Sequence, residues 1–212
     1  GIHALDARIR LTRLEAQGGD VTKARERLRQ LRDQNRKQAV LLYLVEAELL
    51  TEMGLDPEAM KVYDAALAAH PDDRELLYAR GLHGAAMQRL EVVEGDLRRL
   101  LELEPEHADA LNALGYSLAD MTDRYAEALD LIQRALALKP DEGAILDSMG
   151  WVQYRLGNLQ LALDYLRQAS AKLPDDPEVA AHLGEVLWAL EQRDEARRVW
   201  EKARAAAPEH AY

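Results

Sequence analysis

Five prolines keep time along the chain. Pro71, Pro105, Pro140, Pro174 and Pro208 follow one another at intervals of 34, 35, 34 and 34 residues. A period of this length is the mark of a repeat architecture, in which one supersecondary unit cannot bury its apolar face alone and must stack on further copies. Other residues recur in phase with the prolines. Ala59, Tyr63 and Ala66 precede Pro71, as Ala128, Ile132 and Ala135 precede Pro140. The sets Ala162, Leu166, Ala169 and Ala196, Trp200, Ala203 stand likewise before Pro174 and Pro208, and a weaker set, Val93, Leu97 and Leu100, before Pro105. Further upstream a small residue returns each time: Ala47, Gly81, Gly115, Gly150 and Gly184.

The spacing dictates the unit. Repeat positions 4, 7, 8 and 11 fall on one stripe of a first helix, and positions 20, 24 and 27 on one stripe of a second. A Gly or Ala at position 8 facing an Ala at position 20 lets two helix backbones approach closely, and a large residue at position 24 fills the space beside them. Proline cannot continue a helix and belongs in the turn to the next unit. The 35-residue interval carries its extra residue in Asp120–Arg124, a loop where insertion is cheap. Composition agrees with an all-α chain. Leu and Ala dominate, Phe is absent, and Glu, Arg and Gln are good helix formers because they lose little side-chain freedom in a helix.

In these positions the sequence resembles the tetratricopeptide repeat (TPR), with its W-x2-L-G-x2-Y…A-x3-F…P pattern. The resemblance implies an all-α, right-handed solenoid of about six helix-turn-helix repeats, at roughly 3–38, 39–73, 74–107, 108–142, 143–176 and 177–210. In the first, Ala24, Leu28 and Leu31 match the second helix, Gly18-Gly19 the turn, and Arg36 stands in place of proline. No Pro/Ser-rich linker interrupts the series, so residues 1–212 are expected to form a single solenoid, a fragment of a longer chain opening at Gly1.

Charge and motif content narrow the function. The net charge is −11, with ten Lys/Arg against five Asp/Glu in residues 1–38 and 17 against 33 in the remainder. An acidic surface repels nucleic acid and anionic lipid. The basic first segment is expected to be a solvated helix face, or else to attract an acidic patch on a partner or a second copy. The chain has no cysteine and hence no disulfide or thiolate metal site. Its six histidines (His3, His70, His83, His107, His182, His210) show no metal-ligand spacing, and no GxSxG, P-loop or dinucleotide fingerprint is present. No enzyme activity, cofactor or metal is expected. His182 reads as a helix-surface histidine.

The resemblance directs attention to first-helix positions 2, 5, 9 and 12, where ligands of the family usually sit. The candidate partner-binding residues there are Leu44, Glu48, Tyr78, Leu82, Asn112, Tyr116, Asp147, Trp151, Tyr154, Glu185 and Trp188. Aromatic and acidic side chains collect at these positions, and no Lys or Arg stands at them in repeats two to six. An aromatic-lined groove with carboxylates suits a peptide or helix with apolar anchors and some positive charge. Positions 9 and 12 can also pack against the next repeat, so part of the aromatic set is expected to be core. The Lys/Asn clamp of chaperone-tail binders is absent; only Asn112 fits it.

Repeats four to six, ALNALGYSLAD…RYAEALDLIQRALALKPDEGAILDSMGWVQYRLGN…EVAAHLGEVLWAL, resemble more particularly the C-terminal part of proteobacterial TPR outer-membrane lipoproteins that act as adaptors for carboxyl-terminal processing proteases. That resemblance implies a periplasmic, outer-membrane-anchored protein, with the protease and its peptidoglycan-hydrolase substrates as partners. The alternatives are a self-associating structural module, favoured by the expected lack of a capping helix after Ala207, or the regulatory arm of a larger enzyme.

Overall fold

The computed structural model describes residues 2–206. Pro208, His210, any cap beyond Ala207 and the side chain of His3 lie outside the described residues. Among the described residues there are twelve α-helices and no strand. They run as α1 (Ile2–Gln17), α2 (Val21–Gln34), α3 (Ala39–Glu52), α4 (Asp56–Ala69), α5 (Arg74–Ala86) and α6 (Leu90–Leu103), and then α7 (Ala108–Met121), α8 (Tyr125–Leu138), α9 (Gly143–Arg155), α10 (Leu159–Lys172), α11 (Pro177–Ala189) and α12 (Arg193–Ala206). A short 3-10 turn, Arg36–Gln38, precedes α3. The helices come in pairs, one pair to each repeat.

The prolines act as the sequence suggests. Pro71, Pro105, Pro140 and Pro174 each lie two residues beyond the last residue of a second helix. Two residues further on stands the N-cap of the next first helix. Asp73 accepts from the Leu76 amide at 3.1 Å, and Asp176 accepts from the Glu178 and Val179 amides at 2.9 and 3.1 Å. Each such cap satisfies orphan donors of the first turn and contributes about 1 kcal/mol. The turns within a pair follow a second rule. Gly19, Gly54, Gln88, Gly157 and Glu191 recur at one repeat position, and all have positive φ. The pair α7/α8, whose loop holds the extra residue, instead leaves its helix through Thr122 at φ −140°.

The chain divides into two compact units, residues 1–92 and 93–212. In the first, Leu5, Ala16, Ala24, Leu28, Leu31, Leu42, Val45 and Leu49 form a core across α1, α2 and α3, and Ala47, Leu50, Ala59, Val62 and Tyr63 form another between α3 and α4. The arginines of α1 and α2 are not simply solvated. Arg25 and Arg32 both pair with Glu46, which is 1% exposed, and Arg13 pairs with Glu48 and Glu52.

In the second unit the close approach at position 8 is explicit. A Cβ added at Gly115 would lie 2.7 Å from Ile132 and 3.0 Å from the Ala128 carbonyl; at Gly150, 2.5 Å from Leu166 and 3.2 Å from the Ala162 carbonyl. At Gly184 it would lie 2.0 Å from the Trp200 indole nitrogen. The residues at positions 8, 20 and 24 therefore meet in one contact. Leu163, Leu183, Val186 and Leu187 continue this core between α10 and α11.

Candidate protein-binding face of the first helices

In the second unit, α9 packs against both α7 and α11, so three first helices lie side by side. Candidate residues converge there with two side chains from outside that set, Glu178 and His182. Tyr116 comes from α7, Asp147, Trp151 and Tyr154 from α9, and Glu178, His182 and Glu185 from α11. The His182 ring stacks on the Trp151 indole with centroids 4.2 Å apart and planes at 20°. Its Nδ1 lies 2.9 Å from one Asp147 oxygen and 3.1 Å from the other. Its Nε2 lies 3.4 Å from the Tyr116 hydroxyl, which in turn donates to the Glu178 carboxylate. Tyr154 donates to Glu185 at 3.1 Å, and its ring lies 5.3 Å from that of Trp151.

Burial sorts these residues into a floor and a rim. Asp147, Trp151 and His182 are buried, Tyr116 and Tyr154 half-buried, and Glu178 and Glu185 exposed. Trp151 and Asp147 thus underlie the face, while the carboxylates and phenols present themselves at its surface. Two polar atoms of the candidate set are enclosed without a partner, Trp151 Nε1 and Asn112 Oδ1. His182 is corrected from a surface histidine to part of this floor. It lies 35 residues after Asp147, one more than the 34 that separate equivalent positions of these two repeats, so the pair stands at positions 5 and 6 and no in-phase recurrence in the sequence links them.

The electrostatics follow from the packing. Burial is the largest influence on His182 and disfavours its charged form. The Asp147 carboxylate opposes it by hydrogen bond and by charge, Glu178 and Asp120 add to that, and together they raise the imidazole above its usual value. Burial first, then the Glu178 bond and charge, push the Tyr116 phenol up. Burial and Glu185 do the same to Tyr154. Cations are close but peripheral. The Arg155 guanidinium lies 5.7 Å from the Trp151 ring and donates to the Asp120 carbonyl.

Trp188 stands apart from this cluster. It is 39% exposed, packs on Trp200 at 5.8 Å, and has the Arg193 and Arg197 guanidinium groups 5.2 and 5.7 Å from its ring. The candidates of the first unit form no such assembly. Leu44 is half-buried against the α3/α4 core, Glu48 is tied to Arg13, Tyr78 is half-buried and Leu82 is exposed. Ser148, beside Asp147, spends its hydroxyl on the Ala144 carbonyl at 3.0 Å. Among the described residues no group of three or more His, Asp or Glu is arranged to hold a metal ion, and no helix is long and apolar enough to cross a membrane.

Comparison with known proteins agrees with the repeat fold. Family profiles described as tetratricopeptide repeat match residues 39–83, 94–143 and 153–212. A TPR repeat-containing protein of Pseudomonas aeruginosa is 46% identical over 181 residues, which is 85% of this chain and 30% of that protein. This chain therefore spans under a third of the relative's length. Two solved structures share the fold. A tetratricopeptide repeat protein from Parabacteroides merdae has a TM-score of 0.75 at 18% identity, covering 95% of this chain and 79% of its own. A thermophilic TPR protein of Thermus thermophilus has a TM-score of 0.69 at 25% identity, covering 79% of this chain and 91% of its own. With the position 8, 20 and 24 contacts, these matches establish that the chain is built from tetratricopeptide repeats.

Proposed function

We propose that this chain is a non-catalytic adaptor that holds segments of other proteins on the first-helix face of residues 108–189. Tetratricopeptide arrays generally serve as protein-interaction scaffolds, and the repeats are the broad ground for the reading. The observation that carries it is the continuous aromatic and acidic face that Tyr116, Trp151 and Tyr154 form with Glu178 and Glu185 across three neighbouring first helices. The half-buried rings of Tyr116 and Tyr154, backed by Trp151, offer contact area at small entropic cost. Its exposed carboxylates suit a partner segment that carries positive charge beside apolar anchors.

The resemblance of repeats four to six to outer-membrane lipoprotein adaptors supplies the finer proposal. The partners are a periplasmic carboxyl-terminal processing protease and peptidoglycan hydrolases, which the adaptor brings together. The whole protein then works in the periplasm, anchored to the outer membrane. No nucleic acid and no cofactor takes part.

Capture from a proteobacterial envelope extract tests this. The immobilised chain is compared with a Glu178→Lys/Glu185→Lys variant, and circular dichroism checks that both are folded. Exposed residues are chosen because replacing buried Trp151 would unsettle the fold. The expected outcome is a protease or wall hydrolase held by the native chain and lost from the variant. Equal capture by both would remove this face from the account.

A further inference from the structure

His182 touches all three first helices of the candidate face. Across its ring stand Asp147 and Trp151 on α9 and Tyr116 on α7, with Glu178 one turn before it on α11. Asp120 on α7 contributes to its electrostatic field, and Arg155 on α9 lies on the Trp151 ring. The hydrogen-bond directions in this cluster depend on one proton. Tyr116 has a single hydroxyl proton and here gives it to Glu178. Its oxygen then faces His182 Nε2 with a lone pair, an arrangement that is favourable only while Nε2 carries a proton. Nδ1 must also carry one, since it faces the carboxylate of Asp147. The geometry is therefore that of a doubly protonated, charged imidazole. Removal of the Nε2 proton sets two lone pairs against each other, and the nearest remedy is for the Tyr116 hydroxyl to rotate.

We propose that His182, Tyr116 and Glu178 form a proton-controlled relay in which the charged His182 ring directs the Tyr116 hydroxyl to Glu178, and loss of the Nε2 proton turns that hydroxyl to His182 and frees the Glu178 carboxylate at the surface of the face. No covalent bond other than N–H is made or broken, and the proton goes to solvent. The free carboxylate, together with the loss of the imidazolium charge beneath it, makes the face more attractive to a cationic segment as pH rises. This role as a regulator rests on the partner-binding reading above. The relay itself does not, and can be observed without any partner.

The upward displacement of His182 from 6.5 places the event above that value. The test is a ligand-free NMR titration between about pH 5.5 and 9. It follows the His182 ring nitrogens, the Tyr116 ring and the Glu178 side-chain carboxyl carbon, with His182→Gln and Tyr116→Phe used for assignment and control. In the native chain all three signals are expected to move with one midpoint, above 6.5. In Tyr116→Phe the Glu178 signal should lose most of its movement while His182 still titrates, which separates the relay from a through-space charge effect. In His182→Gln the Tyr116 and Glu178 signals should stay flat. A native-chain titration in which His182 changes charge while Tyr116 and Glu178 remain still overturns the proposal, and so does a Glu178 response unchanged in Tyr116→Phe. A relay that behaves as described in a chain that captures no partner would leave the relay standing and remove its function.

Discussion

The imidazole of His182 lies flat on the indole of Trp151, 4.2 Å between ring centres, while Asp147 holds its far edge at 2.9 Å. A charged ring in that place gains twice, from the carboxylate and from the indole face. The contact joins α11 to α9, so the protonation of one side chain bears on how two repeats hold together.

Stability should therefore depend on pH through His182. Its folded-state pKa is raised above the unfolded 6.5, so its contribution is fully present below that value and is lost as pH rises through the folded one. Thermal unfolding of the native chain and of His182→Gln should differ most near pH 6, where leaving buried Asp147 without its partner costs about 3 kcal/mol, and the gap should narrow toward pH 9. A gap that stays constant with pH would show that folding does not shift the His182 pKa.

Trp151 and Trp188 should respond unequally to truncation. Trp151 is 7% exposed and its loss leaves a cavity, so Trp151→Ala should destabilise the C-terminal unit by about 3–5 kcal/mol in urea unfolding. Trp188 is 39% exposed, and Trp188→Ala should cost about 1 kcal/mol while leaving the midpoint near that of the native chain.

Two glycine substitutions test the helix contact. Gly115→Ala puts a methyl 3.0 Å from the Ala128 carbonyl and 2.7 Å from β-branched Ile132, whose stiff rotamer yields little. A loss of about 1–3 kcal/mol is expected. Gly95, inside α6, has nothing within 4 Å of an added Cβ, so Gly95→Ala should gain about 0.5–1 kcal/mol from helix propensity alone. Equal effects at the two sites would show that backbone approach does not govern position 8.

The repeat made most of the fold readable. Pro71 or Pro174 is visible in the sequence and marks both the end of one helix and, two residues later, the cap of the next. Gly150 and Leu166 are likewise visible as recurring positions, and they meet because their spacing puts them on facing stripes. The candidate face was only half readable. Position numbering brings Tyr116, Trp151 and Glu185 to one column, but it cannot say which of them is covered. Trp151 is sealed by His182, a residue at position 6 that no ligand-position rule selects. The direction of a hydroxyl proton, as at Tyr116, is set by two neighbours on α11, more than sixty residues away, and leaves no trace in local sequence.

Glu46 gives a prediction of the same kind in the first unit. It sits 1% exposed on α3 between Arg25 and Arg32 of α2, and Arg32 also lies 4.1 Å from the Tyr43 ring. Glu46→Ala strands two guanidinium groups in a largely closed place and should cost about 3–5 kcal/mol. Glu46→Gln keeps the shape and one acceptor and should cost less. Chemical denaturation of the two variants orders these effects.

Partners are proposed to meet the first-helix face of the C-terminal unit. Site-specific photo-crosslinking addresses it most directly, with a photoreactive amino acid placed at Glu185 or Trp188 on α11, or at the exposed second-helix residues Gln133 and Gln168. Protein adducts are expected from the α11 positions in the native host, and none from Gln133 or Gln168. Adducts from the second-helix positions, with α11 silent, would contradict the proposal.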